Sequence, residues 1–152
     1  IRFCQENKSF SWLRLFYVYG HGQREGSLIP TAMSSCINKT DLSLRHPHVR
    51  NDYVHVSDVA KAVVLATTIE FSGVYNIGSG CSESALSICR LVERELNGNT
   101  LITDKYGEPS SENTNDGFCA DISHTCSELN WKPSVDLKTG IKSCLESKEI
   151  EF

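Results

Sequence analysis

The sequence has no run near the about 18 consecutive apolar residues that a membrane-spanning helix requires. It also opens without a leader of charged, apolar and small residues, so the expected setting is cytoplasmic, with no membrane partner. Basic clusters are missing too: 15 Lys and Arg stand against 19 Asp and Glu, for a formal net charge of -4, and they are scattered. A surface of that kind gives no footprint for a polyanion, so nucleic acid is not an expected partner. No C-x-x-C pair occurs among the seven cysteines, an odd number. This argues against a disulfide framework and against a zinc site, and reads most of the cysteines as small buried hydrophobes, with no metal expected. Repeats and low-complexity tracts are absent as well, and 39% hydrophobic with 22% charged residues describes an ordinary globular chain. At 152 residues it is long enough for one real core.

What is present alternates between two patterns. Residues 12–18 (WLRLFYV) are a continuous aromatic and branched run ending at Tyr19 and Gly20, the pattern of a parallel-sheet strand buried on both faces. After a glycine-rich loop, Ile29, Met33, Cys36 and Ile37 recur at helical spacing with Pro30 in the first turn, which predicts a helix over 28–38. Residues 41–50 are polar and broken by Pro47. A short strand follows over 53–56, then a helix capped by Ser57 or Asp58 whose stretch 59–67 is almost wholly apolar and so reads as mostly buried.

Residues 74–77 read as another buried strand, closed by a Gly78-Ser79-Gly80 turn. Ser84 then caps a helix with Ile88, Cys89, Val92 and Leu96 on one face. Residues 97–117 are mainly loop with one candidate strand at 100–103. Residues 120–129 and 137–148 read as closing helices, the second with Leu137, Ile141, Cys144 and Leu145 on one side. Strands alternating with helices make the class α/β. Two apolar strands joined through a buried helix predict that 12–18 and 74–77 lie in one parallel sheet. The first residues read like the end of a helix already begun, so the chain is expected to be a fragment.

Three strings carry a resemblance when taken together: LRLFYVYG at 13–20 with GSLIP at 26–30, DYVHVSDVAKA at 52–62, and GVYNIGSG at 73–80, with AD at 120–121 and LNWKP at 129–133 downstream. In this order they resemble the extended short-chain dehydrogenase/reductases, in their NAD-dependent epimerase/dehydratase branch. The resemblance covers nearly the whole chain. It implies the carboxy-terminal part of a Rossmann-like doubly wound parallel sheet, to which 12–18 and 74–77 would belong. The small nucleotide-sugar-binding region would come mainly from 20–56 and 98–152. It implies NAD or NADP held mainly by an amino-terminal part, a nucleotide-sugar substrate, and a homodimer for the full-length enzyme.

The sequence has no G-x-x-G-x-x-G turn to present helix amides to a pyrophosphate, and no Tyr-x-x-x-Lys, the pair that serves the family as acid/base and ribose holder. No catalytic residue is therefore named. The resemblance implies that Phe16 and Tyr17, at a strand terminus, lie beside the nicotinamide; many members carry asparagine where Tyr17 stands, and simple packing under the loop is the alternative. Ser27, Leu28 and Ile29 match the point where the base or ribose of the nucleotide sugar packs, or else form ordinary core. Arg50 resembles the arginine that pairs with the diphosphate, and Tyr53 accompanies it. Asn51 separates Arg50 from the Asp-Tyr pair, which leaves Arg45 as a competitor. Asp58 reads as a helix cap and a partner for Arg14, and Gly78 and Gly80 as allowing tight packing. The expected function is the substrate-binding half of a nucleotide-sugar epimerase, dehydratase or 4-ketoreductase, inactive by itself; the alternative is a non-catalytic nucleotide-sugar- or dinucleotide-binding homologue.

Overall fold

The computed structural model describes residues 10–68, 72–96, 106 and 117–148. The expected strand over 12–18 is two strands, β1 (Ser11–Leu15) and β2 (Tyr17–Tyr19), with Phe16 between them. β1 runs parallel to β4 (Gly73–Ile77), from Ser11 opposite Gly73 to Leu15 opposite Ile77, and the Phe16 N–H extends the ladder to the Ile77 carbonyl at 3.0 Å. β2 then pairs in parallel with β3 (Arg50–His55), Tyr17 opposite Tyr53 and Tyr19 opposite His55. The predicted parallel pairing with 74–77 thus holds for the first half of the run, and the second half changes partner where β4 ends. β3 also receives β5 (Ser82–Ser84), antiparallel, and β6 (Gly117–Phe118), parallel.

Alternation along β2 and β3 divides the core in two, because successive side chains of a strand point to opposite faces. Tyr19 joins Ile29, Met33, Ile88, Cys89, Val92 and Ile141 in one cluster, with Tyr53 packed against it. Val54 joins Val59, Ala62, Tyr75, Ile77, Leu129 and Trp131 in the other, with Val18 packed against that one. Each fully buried aliphatic side chain of this kind contributes about 1.5–3 kcal/mol relative to exposure.

The first cluster is built by three helices. α1 (Leu28–Asn38) has the predicted bounds and buries Ile29, Ala32 and Met33. α3 (Ala85–Glu95) is capped as expected, its Ser84 hydroxyl accepting from the Ser87 N–H at 3.0 Å, and it buries Ile88, Cys89 and Val92. α5 (Leu137–Lys148) buries Ile141 and Cys144.

Elsewhere the expectations need correction. The helix between β3 and β4, α2 (Val56–Thr68), begins ahead of Ser57 and Asp58, so Asp58 lies in its first turn and is not its N-cap. Nor is α2 mostly buried: only Asp58, Val59 and Ala62 are, while Val63 and Val64 are 44% and 61% exposed. β1 is not buried on both faces either, since Trp12 and Leu15 are 61% and 50% exposed. The reason is common to both: α2 contacts the sheet along a single face, and among the described residues β1 has one strand neighbour, β4. The helix expected over 120–129 shortens to α4 (Ser123–Leu129), because the Ala120 amide is committed to a carboxylate and Asp121 Oδ1 accepts from the Ser123 N–H. Among the cysteines, Cys89 and Cys144 are buried and Cys36 and Cys126 partly so, while Cys81 and Cys119 are exposed. The candidate strand at 100–103 lies outside the described residues. None of the described helices is long and apolar enough to cross a membrane.

Candidate functional site

The carboxyl end of β1 and the two strands that follow converge on a run of rings. Phe16, half-buried, meets Phe118 edge to face with centroids 5.7 Å apart. Tyr17 lies between Phe118, stacked at 5.9 Å and 25°, and Tyr53, tilted at 5.5 Å. Tyr17 and Phe118 remain 49% and 52% exposed, so the wall has an open side. Burial raises the pKa of Tyr53 above the ordinary phenol value, a hydrogen bond with the Asn51 side chain opposes this, and neighbouring Tyr17 adds to it. Tyr53 is therefore an un-ionised phenol at neutral pH, able to donate a hydrogen bond.

Arg50 begins β3 beside this wall, with Gly117 of β6 as its pairing partner. Its guanidinium donates from Nε to Ser82 Oγ at 3.2 Å and from Nη2 to the Ser82 carbonyl. Alternation puts Arg50 on the face of Asp52 and Val54, and Asn51 on the face of Tyr53. Two of the five guanidinium donors are spent on Ser82, which leaves the Nη1 edge for an anion. Ser27, Leu28 and Ile29 sit at the start of α1, away from the ring wall. Ser27 is the N-cap residue but caps with no side-chain bond, Leu28 packs against the first core cluster, and Ile29 is 2% exposed inside it. Of the residues named from sequence, then, Phe16, Tyr17 and Tyr53 come together around Phe118, Arg50 lies on the opposite face of β3, and Leu28 and Ile29 belong to the core cluster against which Tyr53 packs. Arg45, the competitor of Arg50, is exposed.

Two buried carboxylates that the sequence reading did not identify as organising groups hold the region. Asp52 has no exposed surface. Its Oδ1 accepts from the Ser79 N–H at 2.6 Å and the Ser79 hydroxyl at 2.7 Å. Its Oδ2 accepts from the Gly80 N–H at 2.9 Å and the Ala120 N–H at 3.0 Å, with the Cys119 thiol at 3.8 Å. The turn fits only because residue 78 is glycine: a Cβ there would collide with the Ala120 Cβ and come within 2.9 Å of Asp52 Oδ2. Tight packing at Gly78 is thus as the sequence led one to expect. Asn76 next to it donates to the Asp121 carbonyl at 2.9 Å. The available signal for Asp52 was its position, a carboxylate directly before the apolar pair Tyr53 and Val54, where burial is costly unless hydrogen-bonded.

Asp58 is the second, equally buried. Its Oδ2 accepts from the Ser134 and Val135 amides at 2.8 and 2.9 Å, and its Oδ1 from the Ser134 hydroxyl at 2.7 Å and Lys61 Nζ at 3.0 Å. Its backbone carbonyl takes the Trp131 indole N–H at 3.0 Å. Burial alone would raise its pKa; the Ser134 hydroxyl, the Val135 amide, Lys61 and the Ser134 amide overcome that and hold it at about 2. The expected partnership with Arg14 is replaced by one with Lys61.

A cleft of about 430 Å³ opens along the β5 side, lined by Tyr53, Ser79, Cys81, Glu83 and residues 133–137. Among the residues named from sequence it shares only Tyr53. Among the described residues no group of His, Cys, Asp and Glu is placed to hold a metal ion.

Comparison with known proteins gives this geometry a context. The model of the NAD dependent epimerase/dehydratase family matches residues 2–78. The dTDP-4-dehydro-6-deoxyglucose reductase of Escherichia coli is 31% identical over 147 residues, which cover 92% of this chain and 45% of that protein. The structure of MoeE5 with UDP-glucuronic acid and NAD superposes with a TM-score of 0.81 at 24% identity, over 95% of this chain and 48% of that one. RMD from Pseudomonas aeruginosa with NADPH superposes with a TM-score of 0.78 at 19% identity, over 93% and 49%. The chain therefore has the fold of these Rossmann-like proteins and spans about half their length.

Proposed function

Because the chain belongs to the NAD dependent epimerase/dehydratase family, we propose that it is the nucleotide-sugar-binding half of an NAD(P)-dependent epimerase, dehydratase or 4-ketoreductase. The observation that carries this reading is the convergence of Phe16, Tyr17, Tyr53 and Phe118 into one half-exposed ring wall at the carboxyl end of a parallel strand. Doubly wound folds take their ligands at such strand ends. In this reading Phe16 and Tyr17 face the nicotinamide, which supplies the hydride chemistry when bound. Tyr53 donates from its un-ionised phenol, and Arg50 offers its remaining donors to the diphosphate as a charged hydrogen-bond pair. Ser27, Leu28 and Ile29 set the near end of the nucleotide pocket at the start of α1.

The exposed apolar side chains of β1 and α2, Trp12, Leu15, Val63 and Val64, would be covered by the dinucleotide-binding half of the complete enzyme. Residues 12–18 and 74–77 then belong to the shared Rossmann sheet, and 20–56 and 98–152 mainly to the substrate region. These residues contain no Tyr-x-x-x-Lys, so in this reading the chain by itself binds and does not turn over.

Saturation-transfer NMR of the chain with UDP-glucose tests the proposal. Transfer to the base and ribose protons, abolished by excess UDP, is expected. No transfer from a folded chain to UDP-glucose or to dTDP-glucose would refute it.

A further inference from the structure

We propose that Asp52 is a positioning residue for the ring wall: its carboxylate fixes the 117–120 segment against the Ser79 and Gly80 turn and thereby holds Phe118 on Tyr17. This rests on the reading of the wall as part of the ligand site. Phe118 comes from a two-residue strand whose only pairing among the described residues is with Arg50 and Asn51, too short to hold a ring in one place unaided. Two residues beyond it, the Ala120 amide is pinned to Asp52 Oδ2, and that same oxygen takes the Gly80 amide. The other oxygen is filled by Ser79, through its amide and its hydroxyl. Asp52 lies next to Tyr53 in β3, so one carboxylate ties the β4 turn and the Phe118 segment to the strand that supplies the third ring.

The donor set is specific to an ionised carboxylate. Three backbone N–H groups and a hydroxyl converge on two oxygens, and backbone N–H groups cannot turn to become acceptors. Asparagine, of nearly the same shape, would aim its own N–H₂ at donors on one side, leaving buried amides unmade on that side. The loss would be felt first where pairing is weakest, at β6, and so at Phe118.

Asp58 supplies the control. It is as buried as Asp52 and as rich in hydrogen bonds, but it fastens Ser134, Val135 and Trp131, and among the described residues none of its hydrogen bonds reaches the Phe118 segment. A variant there should weaken folding without moving Phe118.

The test uses the full chain with Asp52→Asn, Asp58→Asn and Ser79→Ala, the last in case the first does not fold. Two quantities are read on protein shown to be folded: ring-to-ring nuclear Overhauser contacts between Tyr17 and Phe118, and the dissociation constant for UDP. Asp52→Asn is expected to lose the contacts and raise the constant about two- to threefold, as loss of one half-exposed aromatic contact implies. Ser79→Ala is expected to weaken both in the same direction and to a smaller degree, while Asp58→Asn leaves the ring contacts unchanged. Retention of the ring contacts and of UDP affinity in Asp52→Asn, or in Ser79→Ala if that is the variant that folds, overturns the inference. Equal losses in Asp58→Asn would reduce Asp52 to a general stabiliser and also overturn it. If the unaltered chain binds neither UDP nor dTDP, the functional reading fails, and the Tyr17 to Phe118 contacts still decide the role of Asp52.

Discussion

Tyr17 stacks on Phe118 with ring centroids 5.9 Å apart and 25° between their planes, a contact between the second strand and the last. Both rings are about half exposed, so this contact is made without a surrounding core. Aromatic pairs are worth about 0.5–1.5 kcal/mol beyond area burial, and half-exposed rings should fall at the lower end. A double-mutant cycle with Tyr17→Ala and Phe118→Ala, read by urea denaturation, should therefore return a coupling of about 0.5 kcal/mol or more. Strict additivity of the two changes would show that the rings do not interact in solution.

Asp58 makes the fold sensitive to acid. Its pKa falls from an ordinary 3.8 to about 2 in the folded chain. A depressed folded value means that the stabilisation is complete above the unfolded pKa and is lost as pH drops toward 2. A shift of this size corresponds to about 2 kcal/mol. The difference in unfolding free energy between the natural chain and Asp58→Asn should accordingly shrink by about that amount between pH 5 and pH 2. A difference that stays constant over this range would mean that the Ser134, Val135 and Lys61 contacts do not favour the charged form.

Two glycines should respond differently to alanine. At Gly78 the added methyl meets Ala120 and Asp52, whereas at Gly22, with φ of 76°, nothing lies within 4 Å. Gly22→Ala should cost about 1 kcal/mol, the conformational penalty alone. Gly78→Ala should cost about 1–3 kcal/mol by overpacking and should also loosen the Asp52 hydrogen bonds. Thermal unfolding of the two variants decides between these mechanisms, and equal shifts of the midpoint would contradict the collision at residue 78.

Arg50 offers a kinetic prediction for the complete enzyme. If its free guanidinium edge meets the diphosphate, Arg50→Ala should raise the Michaelis constant by the equivalent of about 1.5–3 kcal/mol with little change in turnover. Arg50→Lys should not restore it, because a point charge cannot hold Ser82 and a phosphate together. An unchanged constant in Arg50→Ala, alongside a raised one in Arg45→Ala, would move the phosphate contact to Arg45.

How far the sequence could be read depended on whether a signal was local. α1 and α3 were legible because Ile29 and Met33, or Ile88, Cys89 and Val92, repeat at helical spacing next to Pro30 and the Ser84 cap. The break at Phe16 was not, because an apolar run looks the same where its pairing partner changes from Ile77 to Tyr53. Val63 and Val64 read as buried because α2 is apolar nearly all round, and composition alone does not say which face is covered. In the site, Tyr17, Arg50 and Tyr53 could be named from strings around them. Phe118 sits in a strand too short for periodicity, and Asp52 is defined by partners 27, 28 and 68 residues away.

The central claim, that this chain holds a nucleotide sugar and leaves the dinucleotide to another part of the enzyme, is tested most directly by calorimetric titration. The folded chain is titrated in parallel with UDP-glucose, dTDP-glucose, NAD(H) and NADP(H). Saturable binding of at least one nucleotide sugar, with no useful affinity for either dinucleotide, is the predicted result. Micromolar binding of NAD(H) or NADP(H) with no response to either nucleotide sugar would contradict the account and place the cofactor site within these residues.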